Sequence, residues 1–430
     1  LLKNKGINKI IGIGEEIYQQ KKSFHALEAY FFKNTTDFLN STIAPHFKNE
    51  IILIKGSRKY QFEKIVESLE SVSHQSILEI NLSALIHNFN YFKNLLKPST
   101  KIMCMVKADA YGGGAVEIAQ TLQYNRCDYL SVAVADEGVE LRNNGIHIPI
   151  IVMNPEDHSL NLLIEHNLEP EIYSFQILKK LCIFLEKQGV KNYPIHIKVD
   201  TGMNRLGFEP EDIEKLILFL KKQDNVKVKS VFSHLVATDN EAHDEFTLEQ
   251  INIFEKFSHK LEKKLNIHII KHILNSAGIE RFTQYQFDMV RLGIGHYGVG
   301  AKDAQFLKNV STLKSTILQI KNIKKGETVG YNRNGKTYKD TRIATIPIGY
   351  ADGYNRKFGN GVGKVLINNH LAPVIGNVCM DLIMVDISNI EAKEGDKVEI
   401  FSDSLPVSQI ANWIDTIPYE ILTSISKRIK

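Results

Sequence analysis

Only four of the 430 residues are cysteine (Cys104, Cys127, Cys182 and Cys379), and no two of them form a CxxC pair. That scarcity excludes a disulfide framework and a zinc knuckle, and it points to a reduced, cytoplasmic protein with no metal site. Neither sign of charge dominates: 53 Lys and Arg stand against 49 Asp and Glu, a formal +4, which gives no footprint for nucleic acid. No apolar run approaches the roughly 18 residues that a membrane-spanning helix needs, so no membrane partner is expected. Also missing are a fixed-period repeat, a low-complexity tract and a signal-peptide h-region with its cleavage site. The phosphate loop G-x-x-x-x-G-K-[ST] is absent as well, which removes a leading ATP-binding signature. The chain opens without Met, on LLKNKGINKI, and is read as part of a longer polypeptide. What is present is an ordinary globular composition, 43% hydrophobic and 24% charged, long enough for two or three domains.

Three textures follow one another. Residues 7–14 (INKIIGIG) and 50–58 (EIILIKGSR) read as short buried strands, the first followed by a helical pattern through 26–32, the second by a helix over 59–70. Small polar residues at 71–76 mark a linker, so 1–72 is taken as a small α/β, Rossmann-like domain. Its Gly12-x-Gly14 pair lacks the third glycine of a dinucleotide fingerprint and reads better as a strand-end turn. Across 77–308, eight β-rich runs at 102–106, 129–134, 149–153, 169–173, 195–199, 227–233, 272–274 and 288–291 alternate with helically spaced segments. Strict alternation over eight strands predicts a parallel, TIM-like (β/α)8 barrel. Across 309–430 the helical spacing fades, and short strands at 312–323, 341–347, 363–367, 382–387 and 397–401 are separated by Gly and Asn, a mostly β domain.

Polar residues gather just past the expected barrel strands. Lys107, Asp109 and Tyr111 follow the first, and Lys198, Asp200 and Arg205 accompany the fifth. Ser233 and His234 end the sixth, Asn275 and Ser276 the seventh, and Arg291, Gly293 and Ile294 the eighth. In a barrel these positions share the rim where active sites sit and where late loops bind phosphate. A lysine facing His, Ser and Arg from other strands suits amine chemistry. A solvated surface lysine is the plainer alternative, which spacing alone leaves open.

Residues 106–112 (VKADAYG) closely resemble the cofactor-lysine motif of alanine racemases. The resemblance continues through 198–208 (KVDTGMNRLGF), 233–239 (SHLVATD), Asn275-Ser276, 290–298 (VRLGIGHYG), Gly330-Tyr331, 346–353 (IPIGYADG) and Cys379-Met380-Asp381. It spans about 77–430, in the family's order and spacing. The resemblance implies an isomerase that interconverts L- and D-alanine and supplies D-alanine for peptidoglycan, with pyridoxal 5′-phosphate held by Lys107 as an imine. It implies that Lys107 serves one face of the substrate Cα. Tyr331, reaching from the second subunit of a homodimer, serves the other, with His234 and Arg205 as a relay behind the phenol. Tyr111, Ser276 and the backbone of Gly293 and Ile294 match the phosphate-binding positions. Arg205 matches a residue beside the substrate, and Met380 one whose backbone amide meets the substrate carboxylate. Lys198 matches a lysine that is carbamylated in part of the family, and Tyr350, Arg356 and Asp239 match the corridor by which substrate arrives.

Arg291 matches the residue facing the pyridine nitrogen. A guanidinium keeps its own proton and leaves that nitrogen without one, which suits reprotonation at Cα over transamination. Lysine is ordinarily protonated near neutral pH, so Lys107 requires surroundings that lower its pKa. Gly113 stands where family members commonly carry His, Asn377 where they carry Arg, and Lys427 where some carry a tyrosine that touches phosphate. A broad-specificity racemase or decarboxylase of the same fold, or a non-enzymatic carrier of the cofactor, are the alternatives. Arg291 argues against the decarboxylases, which place an acid there, and the β domain argues against the single-barrel carriers. Residues 32–35 (FKNT) and 52–58 (ILIKGSR) resemble another family, the C-terminal domain of the Mur ligase that adds D-alanyl-D-alanine to a cell-wall precursor. That implies a ligase remnant ahead of the racemase, without ligase activity because the ATP loop is missing.

Overall fold

The computed structural model describes residues 7–24, 28–43, 47, 52–69, 75–300, 302 and 304–429, in two compact units divided between Gln75 and Ser76. In the first unit β1 (Lys9–Ile13) pairs in parallel with β2 (Glu28–Phe32). Parallel neighbours need a crossover, to which the helices Glu15–Gln19 and Lys21–Phe24 belong. Phe38 and Ile65 form a small core with Ile11, Ile13, Phe32 and Phe62 around them. The helical pattern expected through 26–32 is a strand over its described part, because the aromatic run Tyr30-Phe31-Phe32 favours the pleated surface and pairs with β1. The strand expected at 50–58 forms no ladder over 52–57, where Ile52 and Leu53 are exposed; residues 50 and 51 lie outside the described residues. The helix expected over 59–70 is a turn at Arg58–Tyr60 and a helix at Glu63–Leu69, with residue 70 outside the described residues.

The second unit opens with β3 (Ile77–Ile80). Eight parallel strands follow: β4 (Lys101–Met105), β5 (Tyr129–Val132), β6 (Ile150–Val152), β7 (Glu169–Ile172), β8 (Tyr193–Lys198), β9 (Val226–Phe232), β10 (Ile270–His272) and β11 (Met289–Leu292). They are ordered β10-β9-β8-β7-β6-β5-β4-β11, so the first strand lies beside the last and the sheet curls into a barrel. The seam between β10 and β11 is nearly closed by the Asp288 N–H donating to Lys271 O (3.1 Å) and the Arg291 N–H to Leu274 O (2.9 Å). The eight runs expected from the sequence are these strands. Their cover is helical for the expected reason: Phe175–Lys187 buries Ile177, Leu178, Leu181, Cys182 and Leu185 along one stripe, and Ser174 caps it by accepting the Ile177 N–H.

The β domain adds β12 (Ser311–Thr316), β13 (Gln319–Ile323), β14 (Thr328–Val329), β15 (Gly335–Lys336), β16 (Thr341–Ile346), β17 (Lys364–Ile367), β18 (His370–Pro373), β19 (Ile383–Asp386) and β20 (Lys397–Phe401). Its sheets run β18-β17-β20-β12-β3, β13-β16-β19 and β14-β15. The strand β3, at the start of the stretch read as barrel, therefore pairs antiparallel with β12, Ile80 opposite Ser311 and Ile77 opposite Lys314. The run at 312–323 is two strands in different sheets, β12 and β13. Two short helices, Val407–Trp413 and Pro418–Thr423, end the domain. Among the described residues no helix is long and apolar enough to cross a membrane.

Candidate active site

The expected rim residues do leave the C-terminal ends of barrel strands. After β4 the chain makes a left-handed turn over Lys107–Gly112, with Ala108, Asp109, Ala110 and Tyr111 at φ of 51°, 52°, 50° and 58°. Left-handed backbone costs an L-residue about 1–2 kcal/mol, so such a run persists only where its surroundings over-determine it. Here the Glu137 carboxylate accepts the Ala108 N–H (2.6 Å) and the Ala133 N–H (2.7 Å), and Asp109 accepts the Ala115 N–H (2.8 Å). On the far side, a Cβ on Gly112 (φ 79°) would lie 2.6 Å from Leu422 O, so the turn is fitted against the Pro418–Thr423 helix. Lys107 begins the turn, open to solvent on one side. Burial of its amine and the positive charge of Arg205 hold its pKa below the ordinary lysine value.

Arg291, in β11, is buried behind this rim. One terminal nitrogen donates to His272 Nδ1 (3.0 Å) and His272 O (3.2 Å), the other to Ser233 O and Ile273 O (3.0 Å), with His234 Nδ1 at 3.4 Å. Among the described residues this leaves Nε–H as the guanidinium donor without a protein acceptor. Burial lowers Arg291 to about 10, still charged at neutral pH. Burial, then Arg291, Arg205, Lys198 and Lys107, drive His234 well below the ordinary histidine value. It is therefore neutral, with Nδ1 turned to Arg291. The Arg205 loop is organised by Asp200, whose carboxylate accepts the N–H groups of Gly202, Met203 and Asn204 at 2.9, 3.0 and 3.1 Å.

Lys198 is buried and pairs with Glu171 across the barrel interior, Nζ to Oε1 3.0 Å. Carbamylation would turn this amine into an anion beside Glu171, so it would have to replace the ion pair. Burial raises the Glu171 carboxyl above its ordinary range, although Lys198, Arg291 and Arg205 all pull the other way. Phe232 underlies both cations, 5.6 Å from Lys198 and 5.2 Å from Arg291, and stacks on His272 at 4.8 Å.

Ser276 and Gly293 form a second cluster. The Ser276 hydroxyl accepts the N–H groups of Gly293 (2.9 Å) and Gly295 (3.2 Å). A Cβ on Gly293 would lie 3.4 Å from Tyr111 Oη and 3.8 Å from Ser276 Oγ, so the missing side chain leaves a hydroxyl-lined cradle ahead of the Ile294–Tyr297 turn. The Tyr111 ring packs on Tyr297 (4.6 Å) and Tyr419 (5.6 Å). Burial and the charge of Asp239 push Tyr419 up to about 12.

Tyr331 is 71% exposed and Met380 53%, both in the β domain. Asn377 ties their loops together: it donates to Tyr331 O (3.1 Å) and accepts from Asn334 (3.3 Å) and Asn360 (3.0 Å). Tyr350 donates its N–H to Cys379 O (3.0 Å), and the charge of Arg356 reaches the Cys379 thiol. Tyr331, Tyr350, Arg356 and Met380 thus form one exposed group, while among the described residues no hydrogen bond or ring contact joins Tyr331 to Lys107. Lys427 is exposed. Sequence reasoning passed over Glu137, Glu171, Phe232, His272, Tyr297 and Tyr419. For Glu171 a signal existed: the Glu-Pro-Glu start of a run expected to be a buried strand, where a carboxylate demands a partner.

The profile described as "Alanine racemase, N-terminal domain" matches residues 80–301, and "Alanine racemase, C-terminal domain" matches 310–430. The chain belongs to the alanine racemase family. The alanine racemases of Clostridium tetani and Clostridium novyi are 39% and 40% identical over 364 and 365 residues, each covering 82% of this chain and 93% of the relative. The solved alanine racemase of Clostridium difficile 630 superposes with a TM-score of 0.78 at 36% identity, covering 84% of this chain and 95% of that one. The Bartonella henselae alanine racemase, solved with covalently bound pyridoxal phosphate, superposes at 0.76 and 31% identity, covering 83% and 99%. The alanine racemase family consists of pyridoxal-phosphate-dependent isomerases, and the barrel with its β domain is the alanine racemase fold. Both profiles lie beyond residue 79, and neither reaches the first unit.

Proposed function

We infer that this chain interconverts L- and D-alanine with pyridoxal 5′-phosphate, in a homodimer whose sites are each completed by the neighbouring β domain. The observation that carries this reading is that the neighbouring strands β4 and β11 lead into an amine of lowered pKa at Lys107, a buried guanidinium at Arg291 with Nε–H to spare, and the hydroxyl-lined cradle at Gly293. These residues fit the cofactor. Lys107 would hold it covalently, Arg291 would meet its ring nitrogen, and Tyr111, Ser276 and the Gly293–Ile294 backbone would hold its phosphate. When bound, the group draws electrons from the substrate Cα so that the α-proton can leave.

The chain's own residues then do the rest. Lys107, its pKa lowered by burial and by Arg205, takes and returns a proton on one face of Cα. The phenol of Tyr331 of the partner subunit does the same on the opposite face. Arg205 and neutral His234 stand behind it as the relay. Arg291 cannot give up its proton to the ring nitrogen, which restrains the electron withdrawal and favours reprotonation at Cα. Met380 supplies a backbone N–H for the substrate carboxylate, and Tyr350, Arg356 and Asp239 line its approach. Lys198 acts through its pairing with Glu171.

The cysteines, none of them in a disulfide, support a cytoplasmic site of action, where D-alanine would feed peptidoglycan synthesis. The domains are taken as 1–72, 77–308 and 309–430. The first would be a Mur ligase remnant of Rossmann-like character, a reading supported by its parallel strand pair.

Subunit mixing tests the shared site. Lys107→Ala and Tyr331→Phe chains, each impaired alone, are co-refolded in equal amounts. If Tyr331 acts across the dimer, every mixed dimer holds one intact site, and activity returns to about a quarter of the parent's. If Tyr331 served its own chain's Lys107, mixing would restore nothing.

A further inference from the structure

One residue from each of five successive barrel strands joins a buried chain of hydrogen bonds that ends on Arg291. Starting from β7, Glu169 Oε2 meets His196 Nε2 (2.7 Å), and His196 Nδ1 meets Ser230 Oγ (2.6 Å). Ser230 Oγ meets His272 Nε2 (2.9 Å), and His272 Nδ1 meets the Arg291 guanidinium (3.0 Å). His196, Ser230 and His272 are wholly buried, and Glu169 and Arg291 nearly so. The register is made for this contact. β9 carries an extra residue between the partners of Ile195 and His196, so that Ser230, and not Lys229, stands opposite His196. Lys229 instead turns to the other Glu169 oxygen (2.6 Å).

The proton positions follow from one end. A guanidinium only donates, so His272 Nδ1 must carry a lone pair and its proton sits on Nε2, directed at Ser230. The Ser230 oxygen accepts there, and its own proton goes to His196 Nδ1. The His196 proton is then on Nε2 and is donated to Glu169. A doubly protonated His196 would make Ser230 an acceptor from both rings and strand the hydroxyl proton. Burial keeps both rings below the ordinary histidine value, with Arg291 a further cause at His272. His196 and Lys229 hold Glu169 below the usual carboxylate range against its burial.

We propose that Glu169, His196 and Ser230 are positioning residues that fix the tautomer of His272, and through it the placement of Arg291, by a line of donors all running from the guanidinium to the Glu169 carboxylate. Their effect on the reaction rests on the cofactor-facing role proposed for Arg291, whereas the proton arrangement itself does not.

The test uses the full chain labelled with nitrogen-15 histidine, first without cofactor. Both His196 and His272 should be Nε2–H tautomers. Ser230→Ala leaves the His272 Nε2–H without an acceptor, which should let the ring turn away from Arg291 and sample both tautomers, and Ser230→Thr, which restores the hydroxyl, should return it to one form. A parent His272 protonated on Nδ1, or a doubly protonated parent His196, overturns the proposal without any variant. An unchanged His272 in well-folded Ser230→Ala overturns it equally. With pyridoxal phosphate bound, Ser230→Ala should shift the cofactor's visible absorption and lower kcat about five- to tenfold with KM little changed, the loss of one buried hydrogen bond. Tautomers as expected with no shift in absorption would leave the proton line standing and refute the facing of Arg291 to the cofactor.

Discussion

The left-handed turn that carries both Lys107 and Tyr111 should depend on one carboxylate. Four L-residues at φ near +50° store about 4–8 kcal/mol relative to ordinary backbone, at about 1–2 kcal/mol each. Glu137 offsets part of this by accepting the N–H of Ala108 at 2.6 Å and of Ala133 at 2.7 Å, tying the turn to the end of β5. Hydrogen bonds to a charged acceptor contribute about 1.5–3 kcal/mol each. The Ala108 bond is exposed, so the low end applies, and Glu137→Ala should cost about 3 kcal/mol in all. Glu137→Gln keeps one acceptor and turns an amide donor toward the other N–H, so it should fall between the parent and the alanine variant. Urea unfolding of the cofactor-free protein reads the stability. Quenching of protein fluorescence by added pyridoxal phosphate reads the affinity, which should weaken at least about tenfold in Glu137→Ala because the binding-competent turn is less populated. Parent-like stability and affinity in Glu137→Ala would show that the turn is held by something else.

Four further outcomes are expected. Tyr331→Phe should slow exchange of the L-alanine α-proton far more than that of D-alanine; equal loss in both directions, measured by deuterium incorporation, would contradict the two-face assignment. Glu171→Gln strands the buried Lys198 ammonium and should destabilise the chain by about 3–5 kcal/mol. Bicarbonate should leave the parent's activity unchanged, and a carbon-13 carbamate on parental Lys198 would refute the ion pair as the source of negative charge there. On acidification, His196, His234, His272 and His296 matter together, since burial holds each below its ordinary value, His296 at about 3. The unfolded chain then gains protons that the folded chain refuses, so the stability present above about 6.5 is lost as pH falls below it, by up to about 1.4 kcal/mol per pH unit for each histidine. Glu169, held low, acts in the same direction further down. A thermal midpoint that stays flat from pH 7 to 5 would refute this.

The barrel was legible because parallel strands buried on both faces read as apolar runs, and each helix between them carries its own stripe. What the runs conceal is polarity inside the barrel. Glu169, Glu171, His196 and Ser230 lie within strands, where pattern alone cannot show that their partners come from neighbouring strands. β3 went unread for a related reason: residues 77–80 suit any sheet, and only the antiparallel partner Ser311–Thr316, more than 200 residues away, decides which. In the first unit the signal failed because an aromatic run fits a helix face or a pleat equally, and pairing with β1 made the choice. At the rim, residue types were visible but the left-handed turn was not, since KADAYG offers a glycine only at its end.

Arg291 serves both the seam of the barrel and the charge beside it. Arg291 closes β11 onto β10 by its main chain, N–H to Leu274 O at 2.9 Å. Its side chain binds the carbonyls of Ser233, His272 and Ile273 at the ends of β9 and β10. A lysine has three donors and no plane. It could not meet these three carbonyls and His272 Nδ1 together, and it would have none left for the site. The guanidinium is therefore fixed by the same carbonyls that finish the fold, so its charge cannot swing away when a substrate arrives, nor can its proton be drawn off. A side chain that moved or titrated would let the electron withdrawal on the cofactor vary. With Arg291 facing the cofactor as proposed, one built into the closure of the barrel would keep it constant through the reaction and leave direction to the two proposed bases.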